Sequence, residues 1–260
     1  MPVPVTEQEK QSPLYKYFEM SMAAPAPGLY EAFESSLLPP DKLLKPQEMN
    51  RLFDDGYLPC EFGYGRLEDG TVTLANLTPM PGVTPEMIDW WFAWHGLEPL
   101  RYKIWDRDEH MSAITREPEK ARDSSLTMKE RYWDTTHDVK EAMTPGGPVQ
   151  DIEINFRNPA DVGFDESRLR DFKGTIICAG NERSPVIMCH FVRPTEEGCE
   201  LRTRFWMGYK IAGGKPEKAI PDGAEFPIEA ASELLKHNIK EFANLAALLP
   251  KVYEEYREAF

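Results

Sequence analysis

Near the C-terminus, the run ASELLKHNIKEFANLAALLP sets His237 four residues before Glu241. Four residues make about one helical turn, so on a helix both side chains project from the same side. An imidazole and a carboxylate placed this way suit a divalent metal ion, and equally a simple hydrogen bond. At about 100° per residue, Leu234, Leu235, Ile239, Phe242, Leu245, Leu248 and Leu249 form an apolar arc, while Glu233, Lys236, Lys240 and Asn244 form the opposite, solvated arc. Glu241 falls between Leu234 and Leu248 in angle and points inward; His237 lies at the boundary of the two arcs. An inward carboxylate is expensive to desolvate without a cation or a proton, so Glu241 needs a partner. For an isolated HxxxE, a structural pair with His237 or a nearby arginine is the commoner arrangement, and a metal site needs further ligands elsewhere in the chain.

Five histidines make that search short. His95 closes WWFAWHG, where a histidine commonly caps helix carbonyls and meets the helix dipole. His137 follows two threonines in YWDTTHDVKE and reads as exposed. His110 lies in YKIWDRDEHMSA, and His190 in VIMCHFVRP alternates with Met188 and Val192 on one face of a strand. By itself a histidine on such a face is more often a satisfied core residue than a ligand.

The elements that must hold these residues follow from punctuation and periodicity. Residues 1–60 are proline-rich and broken, as in AAPAPG and LLPPDKLLKPQEMNRLFDDGY, and read as a helical arm or subdomain with one short helix between Pro46 and Gly56. FGYGRLEDGTVTLANLTPM places two strands around an Asp69-Gly70 turn. TPEMIDWWFAWHG carries an N-cap at Thr84, proline at the first helical position, Glu86 in the first turn and Gly96 as a stop. From residue 150, VQDIEINFRNP, FKGTIICAG, SPVIMCHFVRP and GCELRTRFWMGYKIA read as strands at hairpin distances, with Glu200, Arg202 and Arg204 alternating with Leu201, Thr203 and Phe205. A helix of about six turns then runs from Pro227 without a breaker to Pro250. A curved antiparallel sheet wrapped around that helix, with a cavity between, is the expected α+β architecture for residues 61–260.

Composition sets outer bounds. A 260-residue chain with 41% hydrophobic residues can bury a real core. Thirty basic against forty-four acidic residues give a net charge of −14, which argues against nucleic acid and anionic membranes as partners. No apolar stretch approaches the roughly 20 residues that span a bilayer, and the N-terminus lacks a leader pattern. Cys60, Cys178, Cys189 and Cys199 show no CxxC pair, so a reduced cytoplasm is the expected location.

Taken in order, MIDWWFAWHGLEPLRYKIWDRDEHM, THDVKEAM, CHFVRPTEEGCELRTRFWMG and HNIKE resemble the 2,4-diacetylphloroglucinol hydrolase and phloretin hydrolase family. The resemblance spans roughly residues 60 to 250. It implies a helix-grip (Bet v1-like) domain with a small helical N-terminal appendage, a homodimer, and metal-dependent hydrolysis of the carbon–carbon bond joining an acyl group to a phloroglucinol ring. Matched motif by motif, it implies zinc ligands at His110, Glu141, His237 and Glu241; Glu130, Asp134 and Asp138 are neighbouring alternatives for the second. Tyr102 and His190 match the family's substrate-binding residues. A second family tyrosine falls at Phe205 or, less comfortably, at Tyr209, a departure that bears on which acylphenol is bound.

The chemistry of that donor set is coherent. Two imidazoles and two carboxylates suit zinc, with manganese, cobalt or iron also acceptable. An aryl ketone resists cleavage because the ring would leave as a carbanion. Protonating the electron-rich ring carbon first gives a β-diketone-like tautomer, after which water activated by the metal attacks the acyl carbonyl and the ring leaves as an enolate. Tyr102 and His190 would hold the phenolic oxygens, with His190 or a ligand carboxylate such as Glu141 moving protons. The sequence contains no GxSxG elbow, phosphate loop or dinucleotide fingerprint, which argues against a serine nucleophile. The alternative from another class is a non-enzymatic carrier whose cavity binds a small aromatic molecule.

Overall fold

A computed structural model describes residues 1–180 and 183–260. Eight antiparallel strands form one sheet in the order β1-β2-β8-β7-β6-β5-β4-β3. They are β1 (Gly63–Arg66), β2 (Val72–Pro81), β3 (His110–Thr115), β4 (Thr136–Ala142), β5 (Val149–Arg157), β6 (Thr175–Gly180), β7 (Val186–Pro194) and β8 (Gly198–Met207). Consecutive strands from β3 to β8 are neighbours, joined by short connections except between β3 and β4 and between β5 and β6, where short helices intervene. The β1–β2 hairpin turns at Asp69-Gly70 as expected, with Gly70 at φ 86° and the Asp69 carboxylate accepting from the Thr71 amide at 3.1 Å.

Between β2 and β3 the chain leaves the sheet for a helix at Pro85–Trp94, where Thr84 accepts from the Met87 amide at 3.4 Å and Pro85 occupies the first turn. Trp90, Trp91 and Trp94 are buried in the main core. Pro99–Lys103 adds a short helix that ends just before the site.

The last helix, Ile228–Tyr256, lies against the concave face of the sheet, giving the helix-grip arrangement. Its 29 residues make it longer than the proline pattern suggests, because Pro250 sits inside it. A proline there removes one intrahelical hydrogen bond, and burial of Leu249 and Val252 together with Tyr253 packing 5.3 Å from Trp90 keeps the last turns in place. The expected solvated arc also differs. Asn244 is buried, donating to the Ile104 and Trp105 carbonyls at 3.3 and 2.8 Å and accepting from the Ala23 amide at 2.9 Å. Lys240 is covered by the same loop and pairs with Asp106 and Glu109, both at 3.0 Å. The N-terminal segment and the loop after Lys103 therefore cover a face that the heptad pattern leaves open.

The convex face of the sheet is covered too. Leu43, Leu44, Met49, Leu52 and Cys60 pack on Trp206, Phe191 and Ile176. The polar side of β8 is buried beneath them: Arg202 and Arg204 both pair with Glu61, at 2.6 and 2.7 Å. The helix expected from Pro46 is present as a 3-10 turn, Pro46–Phe53. All four cysteines are buried and free.

Candidate active site

Four side chains converge between the long helix and the edge of the sheet. His110 begins β3 and stands opposite Glu141 of β4 in the strand register. Directly opposed residues of an antiparallel pair share a face, so an imidazole and a carboxylate 31 positions apart point the same way. His237 and Glu241 arrive from the helix, one turn apart. The Nε2 atom of His110 lies 3.3 Å from Nε2 of His237, 3.6 Å from Glu241 Oε2 and 3.8 Å from Glu141 Oε2. His237 Nε2 is 3.9 Å from Glu241 Oε2. None of the four residues is more than 7% exposed.

What lies behind the imidazoles fixes their direction. Nδ1 of His110 donates to the Tyr102 carbonyl at 3.2 Å, and its ring stacks on the Tyr102 ring at 3.8 Å. Nδ1 of His237 donates to Glu109 at 2.6 Å. With both Nδ1 atoms held, both Nε2 atoms face a common point, the arrangement seen in metal-ligating histidines with carboxylate or carbonyl partners. Two facing lone pairs 3.3 Å apart need a shared cation, either a proton or a metal ion. Donors around an ion at about 2.0 to 2.2 Å sit roughly 3 to 4 Å from one another, and His110, His237 and Glu241 meet that spacing. The donor set therefore fits a divalent metal.

Electrostatics agree. Burial drives His110 well below the ordinary imidazole value, with His237 adding repulsion. Burial also opposes charge on His237, yet Glu241, Glu109 and Glu141 outweigh it and push that imidazole up to about 10. Burial pushes Glu241 up to about 8, with Glu141 and Asp106 adding repulsion. The cluster holds more negative charge than the protein's own cations balance.

Glu141, rather than its alternatives, reaches this cluster. Asp138 faces outward to Arg116 at 2.7 Å, Glu130 caps its own short helix at Thr127, and Asp134 sits in a turn at φ 52°. Alternation along β4 explains the choice, since His137, Val139 and Glu141 are buried while Asp138 and Lys140 are exposed. His137 is thus interior, not exposed as its polar neighbours suggest.

A cavity of about 380 Å³ opens from the cluster, walled by Phe92, Tyr102, Phe156, Met188, His190 and Phe205 among others. The Tyr102 hydroxyl donates to Glu141; burial and then Glu141 hold that phenol well above 10. His190 bonds through Nδ1 to Thr203 Oγ1 at 2.9 Å, its partner in the β7–β8 register. Its ring lies between Phe242 and Phe205, at 4.9 and 5.9 Å. Burial holds it near 3 and therefore neutral.

Tyr209 is not brought to this site. It packs in the outer cluster and donates to Asp69 at 2.6 Å. Gly208, at φ 96°, breaks the strand before it, so the parity linking residues 205 and 209 is lost and Phe205 alone lines the cavity. Three supporting residues escape the sequence reading. Glu109 orients His237, Lys240 neutralises Glu109 and Asp106, and Asn238 donates to Glu241 Oε1 at 3.0 Å while accepting from Asn76 at 2.8 Å. The acidic run DRDE immediately before His110 was the available signal for the first.

The chain is similar to known proteins over most of its length. Residues 44–254 match the family described as DAPG hydrolase PhiG domain. A phloretin hydrolase from Eubacterium ramulus is 37% identical, with 99% of this chain and 95% of that protein aligned. A 2,4-diacetylphloroglucinol hydrolase from Pseudomonas protegens is 27% identical, with 95% of this chain and 85% of that protein aligned. The solution structure of the KanY protein superposes with a TM-score of 0.40 at 12% identity, over 71% of this chain and 99% of that one. With four-fifths of its length inside the family match, and a relative 37% identical along nearly its whole length, the chain belongs to the DAPG hydrolase family of enzymes.

Proposed function

We propose that this protein hydrolyses the carbon–carbon bond between an acyl group and a phloroglucinol ring. The observation that carries the reading is that Glu141, His237 and Glu241 line one aromatic-walled cavity with Tyr102 and His190, with His110 held 3.3 Å from His237. In this reading the four residues hold a divalent metal, zinc by the donor set, whose chemistry when bound is polarisation of a ketone oxygen and acidification of water.

The chain's own groups do the rest. Tyr102 and neutral His190 present hydrogen-bonding atoms to the phenolic oxygens and favour the ring tautomer in which the acyl-bearing carbon carries a proton. Breaking the bond from that carbon to the acyl carbon leaves its electron pair on the ring as an enolate. The oxygen of water ends in the carboxylic acid. The Tyr102–Glu141 hydrogen bond offers a path for a proton at the acyl end, and Phe92, Phe156 and Phe205 exclude bulk water from the ring. Phe205 contributes no hydroxyl, so recognition at that wall is by aromatic contact.

Incubating the protein with zinc and with phloretin, mono- and diacetylphloroglucinol should release a carboxylic acid and a less acylated ring. Turnover of none of them overturns the substrate assignment, and metal analysis of the purified protein tests the metal separately. The same reading makes the protein a cytoplasmic homodimer, supported for location by its four free thiols; light scattering near twice 29.8 kDa checks the assembly. No helix among the described residues is long and apolar enough to cross a membrane.

A further inference from the structure

Two buried histidines that the reaction above does not use also line the cavity. His95 donates from Nδ1 to the Trp91 carbonyl at 2.8 Å, which leaves its Nε2 as an acceptor. The ring of His137 lies 5.3 Å from that of His95 and 4.8 Å from that of Phe156. Both histidines are only 3% exposed, and among the described residues Nδ1 of His137 has no hydrogen-bond partner. A buried polar atom left in that state pays a desolvation penalty with no return, and such atoms are rare in folded proteins unless something else satisfies them.

The seat of His137 is also specific. A Cβ on Gly96 would stand 2.4 Å from Cε1 and 2.8 Å from Nδ1 of this ring, so the glycine that ends the tryptophan-rich helix is what leaves room for it. His95 in turn lies 6.0 Å from the Tyr102 ring, which places the pair beside the residues assigned to the phenolic oxygens.

We propose that His95 and His137 form a second polar subsite of the cavity, one that takes an uncharged ring hydroxyl of the aromatic substrate. This rests on the reading of the cavity as an acylphloroglucinol site. A phenol both donates and accepts, and an imidazole pair offers it both an N–H and a lone pair. Burial keeps the two rings neutral, His95 near 4 and His137 well below its ordinary value, so they offer no counter-charge to an anion. A ring with three hydroxyls can therefore engage the Tyr102–His190 wall and this pair together, whereas a ring lacking one cannot.

Calorimetric binding of phloroglucinol and of resorcinol, which has one hydroxyl fewer, tests this without relying on turnover. The zinc-loaded wild-type protein should bind phloroglucinol about tenfold more tightly, the weight of one neutral hydrogen bond. His137→Phe keeps a ring but no nitrogen and should erase the preference; His137→Gln should restore part of it. His95→Asn, whose amide can still donate to the Trp91 carbonyl, is the second variant should His137→Phe fail to melt cooperatively, and it too should lose the preference. An unchanged ratio in a folded variant, or a wild-type protein that does not distinguish the two rings, overturns the subsite. A wild-type protein that shows the preference yet hydrolyses no acylphloroglucinol leaves the subsite standing and removes the proposed reaction instead.

Discussion

The sheet separates two buried clusters of charge that answer the same physical problem in opposite ways. On its convex side, Glu61 receives Arg202 and Arg204 at 2.6 and 2.7 Å, and the guanidiniums also donate to the Leu52 and Cys60 carbonyls at 2.8 and 3.0 Å. Burial works against the Glu61 carboxylate, but the two arginines hold it below its usual range. On the concave side, His110, Glu141, His237 and Glu241 face one another with two nitrogens 3.3 Å apart and a surplus of carboxylate. The first cluster is closed, since Glu61 meets both arginines and their remaining donors meet the Leu52 and Cys60 carbonyls within the chain. The second is open, and what closes it must come from solution. Burial of charge alone does not mark a site; burial of charge that the chain leaves unbalanced does.

The difference can be broken most severely at the open cluster. His237→Ala should abolish stoichiometric divalent metal and bring hydrolysis to background, seen by elemental analysis and by acid release, while circular dichroism stays native. The closed cluster should respond in the other currency: Glu61→Ala strands two buried guanidiniums and should cost about 3 to 5 kcal/mol in denaturant unfolding, with metal content unchanged in the folded fraction. Glu109→Gln sits between these extremes. It leaves His110, Glu141, His237 and Glu241 in place but exchanges the carboxylate behind His237 for a neutral amide, and metal affinity should fall about 10- to 100-fold in a chelator competition.

Acidity sharpens the comparison further. In metal-stripped protein, His237 titrates near 10 when folded against 6.5 unfolded, and Glu241 near 8 against 4.5. Both are raised, so the folded state holds protons that the unfolded state has released, and their contribution to stability is present at low pH. Stability from Glu241 should be lost between pH 4.5 and 8, and that from His237 between 6.5 and 10. Above about pH 7, where the buried neutral histidines His95, His110, His137 and His190 add no further pH dependence, melting temperatures of stripped protein should thus decline, and the decline should shrink when metal replaces the protons. The smallest effect belongs to Tyr209→Phe, which removes the bond to Asp69 and should cost about 1 kcal/mol without altering turnover or substrate affinity.

How much of this was legible in the chain depended on whether a pattern is local. The His237–Glu241 pair and the tryptophan-rich helix are written in spacings of a turn or less, and the structure sets the pair one turn apart on the last helix and the tryptophans in the core. Glu141 opposite His110 is a matter of strand register, which residue spacing alone does not contain. Alternation along β4 shows that His137 and Asp138 face opposite ways but not which of them faces inward. Lys240 and Asn244 look solvated on a helical wheel because the wheel cannot include the loop at residues 104–109 that folds over them. Tyr209, the less comfortable match to the family's second tyrosine, lies in the outer cluster because Gly208 breaks the strand before it. Pro250 marks a stop by its residue type alone, yet the packing of the turns that follow it outweighs the loss of one hydrogen bond.

The pairing of His110 with His237 joins residues 127 positions apart, one on the last strand of the sheet order and one on the final helix. A chain emerging from a ribosome would display β3 and β4 long before the helix that completes the cluster exists. Half of the cluster, the His110 imidazole and the Glu141 carboxylate, would wait open to water until residue 241 is free of the exit tunnel. Chains cut short in the last helix before Glu241 would therefore carry His110 and Glu141 without the residues that meet them, so the cluster is complete only once that helix has been made.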